Sequence, residues 1–464
     1  MKKKSNVSFI VVVLLGGLLA TMTETIMNNS LTTIMKELHV SESTAQWLST
    51  GYIMAAGIVM PVAVYLIHRF KLRQLFPTSL AIFLAGTIIG SLAPNFYILL
   101  LGRIIQAVSV GIIMPLVQNL MVLLFPPEKR GFALGISGFV IVLGPAIGPT
   151  LSGWIVGRWS WRMLFIFLLP ITVIILLLAL IFTKNVTQQE DDKLDLPSVL
   201  ASSVGLGLIL FSCSHIGNAA AIDLTAIITM VLGLIVTGFF VARQLKLDQP
   251  LLEMRVFKAP SFTKATILAS ITSIAMLGVE LLLPLYLQNV RGVSALASGL
   301  IMLPGALVMV VLSPLAGNWY DRFGIRPLAF GGFTIMLLTS IPMIWFNEKT
   351  SLVWIAVLYA LRMSGVGLAM MQLNTAGVNA LPERYSIHGN TVTATVRQVA
   401  SSLGTSLLVT IAAVFASQAK AGGTAQRASL RIGYSWSFAV IVFILLICLA
   451  MTFTLKNKTT PEIK

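Results

Sequence analysis

Charge is scarce in this chain. Of its 464 residues only 10% are Asp, Glu, Lys or Arg, whereas 57% are hydrophobic. An ordinary soluble domain carries about 25% charged residues. At a mean hydropathy of +0.92 a water-soluble protein would have nowhere to put its apolar side chains, which excludes a soluble enzyme and a nucleic-acid binder. Acid is scarcer than base, with 16 Asp and Glu against 32 Lys and Arg. The pI near 10.1 has a plain source in a bilayer protein, because Lys and Arg hold cytoplasmic loops inside. The two cysteines, Cys213 and Cys448, both lie in apolar runs and imply no disulfide framework. His39, His68, His215 and His388 are scattered, with no metal-ligand spacing. There is no Walker motif, HExxH or Ser/His/Asp constellation, so the chain reads as a non-enzyme with no cofactor and no metal.

What the chain does have is long apolar runs. A spanning helix needs roughly 20 mainly apolar residues. Fourteen candidates occur, at about 8–28, 45–67, 75–93, 96–124, 131–157, 163–183, 197–216, 224–242, 265–288, 296–316, 328–346, 352–378, 389–417 and 433–455. The opening MKKK mimics a signal peptide, but the run behind it continues to Met27 without an A-x-A-like site, so it reads as a retained span. The fold class is therefore all-α and integral to the membrane. An even number of spans places both termini on one side. Lys2, Lys3, Lys4, Arg69, Lys71, Arg73, Arg255, Lys258, Arg322 and Arg326 mark that side as cytoplasmic. Arg103, Arg362 and Arg397 stand inside spans.

Two polar stretches divide the chain, KNVTQQEDDKLD at 184–195 and the basic segment 243–264. The expected organisation is a six-helix bundle over 1–183, a segment 184–264 holding a two-helix hairpin at about 197–242, and a second six-helix bundle over 265–464. An internal repeat supports it. PVAVYLIHRFKLRQLF begins at Pro61 and PLAGNWYDRFGIRPLAF at Pro314, so that Arg69–Phe70 matches Arg322–Phe323 and Arg73 matches Arg326. Parallel repeats of this kind build transporters with a central site.

Only Glu24 and Glu280 among the 16 acidic residues fall within spans. An ionised side chain at a helix centre costs ~2.5–3.5 kcal/mol on the insertion scale and is usually functional. Thr21, Glu24, Thr25 and Asn28 share one helical face, which should border a cavity or another helix. Such a carboxylate can carry a proton, attract a cation, or hydrogen-bond a neighbouring helix. Glu280 occupies the first helix of the second copy, about three positions out of register with Glu24, and has apolar flanks consistent with either a transport or a local structural role. Arg103, with Gln106 one turn later, must pair with a carboxylate or backbone carbonyls. Arg362 and Arg397 fit structural anchoring and transport equally well. Gly144 and Gly148, with Pro145 and Pro149 beside them, would allow close helix approach and kinking, and point to a contact between the two bundles. Met114, Tyr286, Gln372 and Asn374 are further candidates for a cavity lining.

Together these residues resemble the major facilitator superfamily, specifically its fourteen-span drug:proton antiporters of the EmrB/QacA type and the LmrB-like branch. The first-span motif D-x-T-I-V-N is similar to Thr23-Glu24-Thr25-Ile26-Met27-Asn28, with the acid moved to the middle. Trp47 and Tyr52 resemble the second-span W…Y. Arg103 and Gln106 match R-x-x-Q, with Ala107 in place of glycine. Gly144-Pro145 and Gly148-Pro149 match the antiporter motif, and Ser160-Trp161-Arg162, Phe165 and Pro170 a segment of the fourteen-span group. Pro284, Tyr286, Gln288, Gly292, Ser294, Gly299 and Pro304 match the ninth and tenth spans, and Arg397-Gln398 the thirteenth. The loop motif G-x-x-x-D-R-x-G is intact as Gly317, Asp321, Arg322 and Gly324. In the first copy only Arg69 survives, with Val64, His68 and Lys71 at the other positions.

The resemblance implies export of amphipathic, often cationic drugs in exchange for protons, by alternating access, driven by the proton motive force. Glu24, Glu280 and Arg103 would couple protons. Glu24, Thr25, Asn28, Gln106, Met114, Glu280, Tyr286, Gln372 and Asn374 would line the substrate path. Gly144, Pro145, Gly148, Pro149, Gly317, Asp321, Arg322 and Arg397 would serve gating. The expected setting is the bacterial cytoplasmic membrane, as a monomer, without nucleic acid. Competing readings are a lipid or metabolite exporter, an uptake symporter, and a membrane regulator without transport.

Overall fold

The computed structural model describes residues 2–27, 30–40, 42–186, 195–219 and 223–457. Among the described residues all regular secondary structure is helical, with no strand. In a bilayer each backbone N–H and C=O must be satisfied within its own segment, and a helix does this. The helices are α1 (Lys2–Thr25), α2 (Leu31–Leu38), α3 (Glu42–Arg69), α4 (Leu72–Ser91), α5 (Phe96–Leu124), α6 (Arg130–Val156), α7 (Arg162–Phe182) and α8 (Leu196–Ala219). They continue as α9 (Leu224–Gln244), α10 (Pro260–Asn289), α11 (Ala295–Phe323), α12 (Ile325–Ser340), α13 (Leu352–Asn379), α14 (Ser386–Ala421) and α15 (Gln426–Thr452). Among the described residues 13 helices are long and apolar enough to cross a membrane. Helix α6, with 27 residues, is one more long helix.

Each expected run thus has its helix, with shifted ends. α1 stops at Thr25, and Asn28 lies outside the described residues. α10 starts at Pro260 rather than 265, because proline at the first helical turn forfeits no hydrogen bond. α2 was not expected. Its Ile34 is fully buried while Lys36 and Glu37 are exposed, and left-handed His39 (φ 53°) ends it. The Glu37 carboxylate pairs with Arg162 at the start of α7, which also donates to Ala93 O at 3.1 Å.

The chain divides into two compact units, the first comprising Met1–Leu124, Val140–Gly207 and Val236–Glu253, and the second Phe125–Phe139, Leu208–Ile235 and Met254–Lys464. In the first, α4 and α5 meet at glycine. A Cβ on Gly86 would lie 2.6 Å from Gly102 O. In the second, α12 and α13 meet the same way, where a Cβ on Gly332 would lie 2.7 Å from Gly365 O. Both contacts leave backbone against backbone, the approach that small residues permit.

A second correspondence joins helix ends. In the first unit Asn185, just beyond α7, accepts at Oδ1 from Arg73 N, the second residue of α4, at 3.1 Å. In the second unit Asn457, just beyond α15, accepts from Ile325 N (3.1 Å, backbone O) and Arg326 N (3.2 Å, Oδ1), the first two residues of α12. Each asparagine satisfies orphan donors at a helix start.

Candidate functional site

The first unit holds a polar cluster in an apolar interior. Arg103 on α5 is fully buried. Its Nε donates to Leu48 O at 3.3 Å, its Nη1 to Gln106 Oε1 at 3.0 Å, and its guanidinium lies 3.9 Å from the Tyr52 ring centre. Nη2 is buried without a partner. Gln106 passes the chain on through Nε2 to Thr87 Oγ1 (2.8 Å), which donates to Phe83 O (2.8 Å). Tyr52 O–H reaches Ala20 O and Thr23 Oγ1, both at 3.4 Å. Glu24, partly covered, sits within electrostatic range of both Arg103 and Tyr52. The structure thus brings Glu24, Arg103 and Gln106 together, as the residue types require: a buried cation gathers an acid, an aromatic face and carbonyl oxygens. Sequence reasoning missed Thr87.

The second unit repeats this arrangement with other partners. Buried Arg362 on α13 donates through Nε to Ser340 Oγ (3.1 Å) and through Nη2 to Ala275 O (2.6 Å), leaving Nη1 without a partner. Glu280 on α10 and Tyr359 on α13 lie within its electrostatic range. Arg103 follows the α4–α5 glycine contact by one residue, whereas Arg362 precedes Gly365 in the α12–α13 contact by three. That is a shift of one turn along the same face. Helices α10 and α13 run antiparallel, with Ala275 against Arg362 and Ala265 against Gly377. Glu280, displaced three positions toward the end of α10, therefore moves in the same direction as Arg362. Acid and arginine shift together.

The glycines of α6 take partners different from those expected. The nearest neighbours of Gly144 and Gly148 lie on α1. A Cβ on Gly144 would strike Thr21 Oγ1, and one on Gly148 would strike Thr25 Oγ1, both on α1 of the same unit. Thr21 already donates to Gly17 O (3.1 Å) and Val140 O (3.2 Å). The polar stripe of α1 therefore divides, its threonines toward α6 and Glu24 toward Arg103. The side chains of Pro145 and Pro149 lie outside the described set. The first turns of α6 belong to the second unit, where Asp321 in the last turn of α11 accepts from Gly131 N (3.0 Å) and Phe132 N (3.1 Å). This carboxylate caps the α6 N-terminus, where a negative charge is favoured. Gly317, a turn earlier, packs on the Gly131 carbonyl, and a Cβ on Gly135 would lie 2.6 Å from Ser313 O. Arg322 lies over Phe323, 5.3 Å from the ring centre.

Several expected lining residues are engaged otherwise. Gln372 is fully buried; with its amide oriented to satisfy both ends, it donates to Leu368 O (3.1 Å) and Gly367 O (3.2 Å) and accepts from Gly317 N (3.2 Å). Tyr286 is 1% exposed and its hydroxyl donates to Asn347 O at 2.7 Å, so it pins the α12–α13 connection. Asn374 Nδ2 donates to Asn390 Oδ1 (2.8 Å), and its own Oδ1 has no partner. Met114 is half-buried on α5. No cluster of three potential metal ligands occurs among the described residues.

This helical array matches a known family: the profile described as Major Facilitator Superfamily covers residues 13–405. The chain belongs to the Major Facilitator Superfamily. Within it, the chain is 43% identical over 463 residues to the uncharacterized MFS-type transporter YcnB of Bacillus subtilis (strain 168), spanning 99% of this chain and 97% of that one. It is 35% identical over 398 residues to the lincomycin resistance protein LmrB of Listeria monocytogenes serovar 1/2a, spanning 86% and 84%. The fold is also that of the superfamily's proton:xylose symporter XylE, at a TM-score of 0.66 with 14% identity over 99% of this chain and 98% of that chain. In this superfamily member the intact loop motif is built around Gly324, whose left-handed φ of 81° an L-residue would resist. Lys71, at the matching place in the first copy, is extended (φ −61°, ψ 132°), so that turn has no need of glycine.

Proposed function

We propose that this protein is a secondary transporter that exports amphipathic, largely cationic drugs in exchange for protons. In this reading it has fourteen spans of the EmrB/QacA type and works as a monomer in the bacterial cytoplasmic membrane, with both termini inside. The proton gradient drives it, without a bound cofactor. The observation that carries the reading is the placement of Glu24 beside a buried arginine that still has a donor to spare. A proton and a cationic drug neutralise the same carboxylate, so each excludes the other, and that competition is the thermodynamic root of exchange. Ionised Glu24 balances Arg103; once protonated it leaves Arg103 uncompensated, and the cluster favours a different packing. The ligand shifts the equilibrium only by its differential affinity for the two states. Glu280 and Arg362 supply a second such pair. The resistance named in LmrB supports drugs as the cargo class.

The test is drug-dependent proton movement in inverted vesicles across a panel of cationic and neutral compounds. Wild-type protein is expected to release protons on drug addition. Glu24→Gln should abolish the coupled movement while the protein still accumulates in the membrane, and Glu280→Gln should alter coupling or substrate range. Wild-type vesicles that move no protons for any drug would overturn the proposal in favour of a non-transporting role.

A further inference from the structure

The deep parts of the spans hold two carboxylates and three guanidiniums. Two of the arginines lie within electrostatic range of an acid, Arg103 of Glu24 and Arg362 of Glu280. The third, Arg397 on α14, has none in range among the described residues. It donates no hydrogen bond among them, and its Nη1 is buried without a partner. Arg397 is partly covered, and a charged donor buried without a partner is costly, so the site favours an anion that can reach it.

The surroundings of Arg397 are built for such an arrival. Helix α14 meets α10 along one face. Thr393 and Thr266 share a hydrogen bond of 3.0 Å, and further along Gly404 receives Ile274. Arg397 follows Thr393 by four residues and precedes Gly404 by seven, so it lies on that same face between the two contacts. From the α10 side, Ser273 stands two turns above Thr266 on the same stripe, and its Oγ is buried with no partner. Helical serines usually satisfy themselves on a carbonyl of the preceding turn; Ser273 does not. Two orphaned donors, one charged, thus share a seam closed at one end by threonines and at the other by Ile274. The helix is fully covered over 391–395 but only partly covered over 396–400, so the chain opens beside Arg397.

We propose that the seam between α10 and α14 binds the anionic group of a cargo molecule, a carboxylate or phosphate accepted by Arg397 with Ser273 donating beside it. Arg397 lies 11 residues into a 36-residue helix, about 16 Å along it. That depth is near the middle of a core roughly 30 Å thick, beyond the level at which lipid headgroups sit, and favours a carried ligand over a bound lipid. Planar guanidinium meets carboxylate or phosphate through paired hydrogen bonds, which sets the ligand class. The inference rests on the transport reading only in taking the ligand to be cargo. It extends the expected range from cationic to zwitterionic and anionic amphiphiles.

The test is equilibrium binding of a xanthene dye bearing a free carboxylate, and of its methyl ester, to the full chain in lipid nanodiscs without a proton gradient. Arg397→Gln should weaken binding of the carboxylate dye by about tenfold or more and that of the ester by less than about twofold. Arg397→Lys, which keeps the charge but loses the paired geometry, should fall between wild type and Arg397→Gln in discrimination. Ester binding certifies that each variant is folded. Equal weakening of both dyes, or of neither, overturns the proposal. Discs of phosphatidylcholine alone and discs containing phosphatidylglycerol separate the two sources of anion. Carboxylate binding independent of the anionic lipid supports cargo, and its loss in the phosphatidylglycerol discs overturns it. If cells export neither dye while the binding difference persists, the export reading fails and this one stands.

Discussion

A guanidinium inside a membrane protein is held as much by the oxygens its donors find as by its acid. Arg103 spends Nε on a carbonyl and Nη1 on Gln106, which is itself anchored by Thr87. Gln106→Leu would strand both Arg103 Nη1 and the Thr87 hydroxyl's incoming bond. We expect it to destabilise the protein by about 1–3 kcal/mol, the cost of an unmet buried donor. Tyr52→Phe keeps the ring under the guanidinium and loses only the 3.4 Å hydroxyl contacts, so its cost should stay below about 1 kcal/mol. Thermal unfolding of the two variants in detergent reads the order, and a larger loss for Tyr52→Phe would refute this account of the cluster. Glu24, Arg103 and Gln106 were legible in the sequence because charge in an apolar run must be answered locally. Thr87 was not, since a threonine on a neighbouring helix carries no signature of its partner. The partners of Tyr286 and Gln372 were not legible either: a polar group in a span shows that it needs a partner, not that a backbone carbonyl or N–H of a distant segment supplies one.

Along single elements the decisive contacts are steric. On α6, a Cβ at Gly135 would press on the Ser313 carbonyl at 2.6 Å, whereas one at Gly138 would meet the flexible Met371 side chain at 2.7 Å. Backbone cannot swing aside and methionine can. Gly135→Ala should therefore cost about 1–3 kcal/mol, and Gly138→Ala clearly less, by the same unfolding measurement. Equal losses would mean the α6–α11 contact is looser than its geometry. The hairpin α8–α9 is fastened by charge at its base. Arg243 makes two 2.7 Å bonds to Asp195, which also caps α8 through Ser198 N at 3.2 Å. These bonds hold the Asp195 carboxyl down to about 2. A carboxylate depressed in the fold contributes stability above its ordinary value near 4 and loses it as pH falls toward about 2. The unfolding midpoint of Asp195→Asn should thus lie below wild type at pH 7, and the gap should narrow as the pH drops toward 3. A gap that widens on acidification would contradict the clamp. The polar stretch 184–195 announced a boundary, but pairing across the hairpin was invisible because its two partners lie far apart in sequence.

At the scale of the molecule, duplication is the organising fact. Apolar run length located every long helix, since the bilayer leaves little else for twenty apolar residues to do. The charged turns after Pro61 and Pro314 gave away the repeat. The short α2 escaped notice because eight residues with one buried isoleucine are too brief for a periodic signal. The paired caps escaped too, although Phe182-Thr183-Lys184-Asn185 and Phe453-Thr454-Leu455-Lys456-Asn457 spell nearly the same phrase. Their role predicts matched behaviour. Asn457→Ala should speed amide hydrogen exchange at Arg326, whose N–H meets the side chain, more than at Ile325, whose N–H meets the backbone oxygen, and Asn185→Ala that at Arg73, each variant leaving the other unit's site unchanged. Exchange that rises at both sites in either variant would show the caps are not independent.

Asn457 stands only a few residues beyond the last helix, and this has a practical side. An affinity tag or fluorescent fusion spliced in ahead of it would unbolt the start of α12 next to the Asp321 loop. Handles joined downstream of it should leave that cap undisturbed.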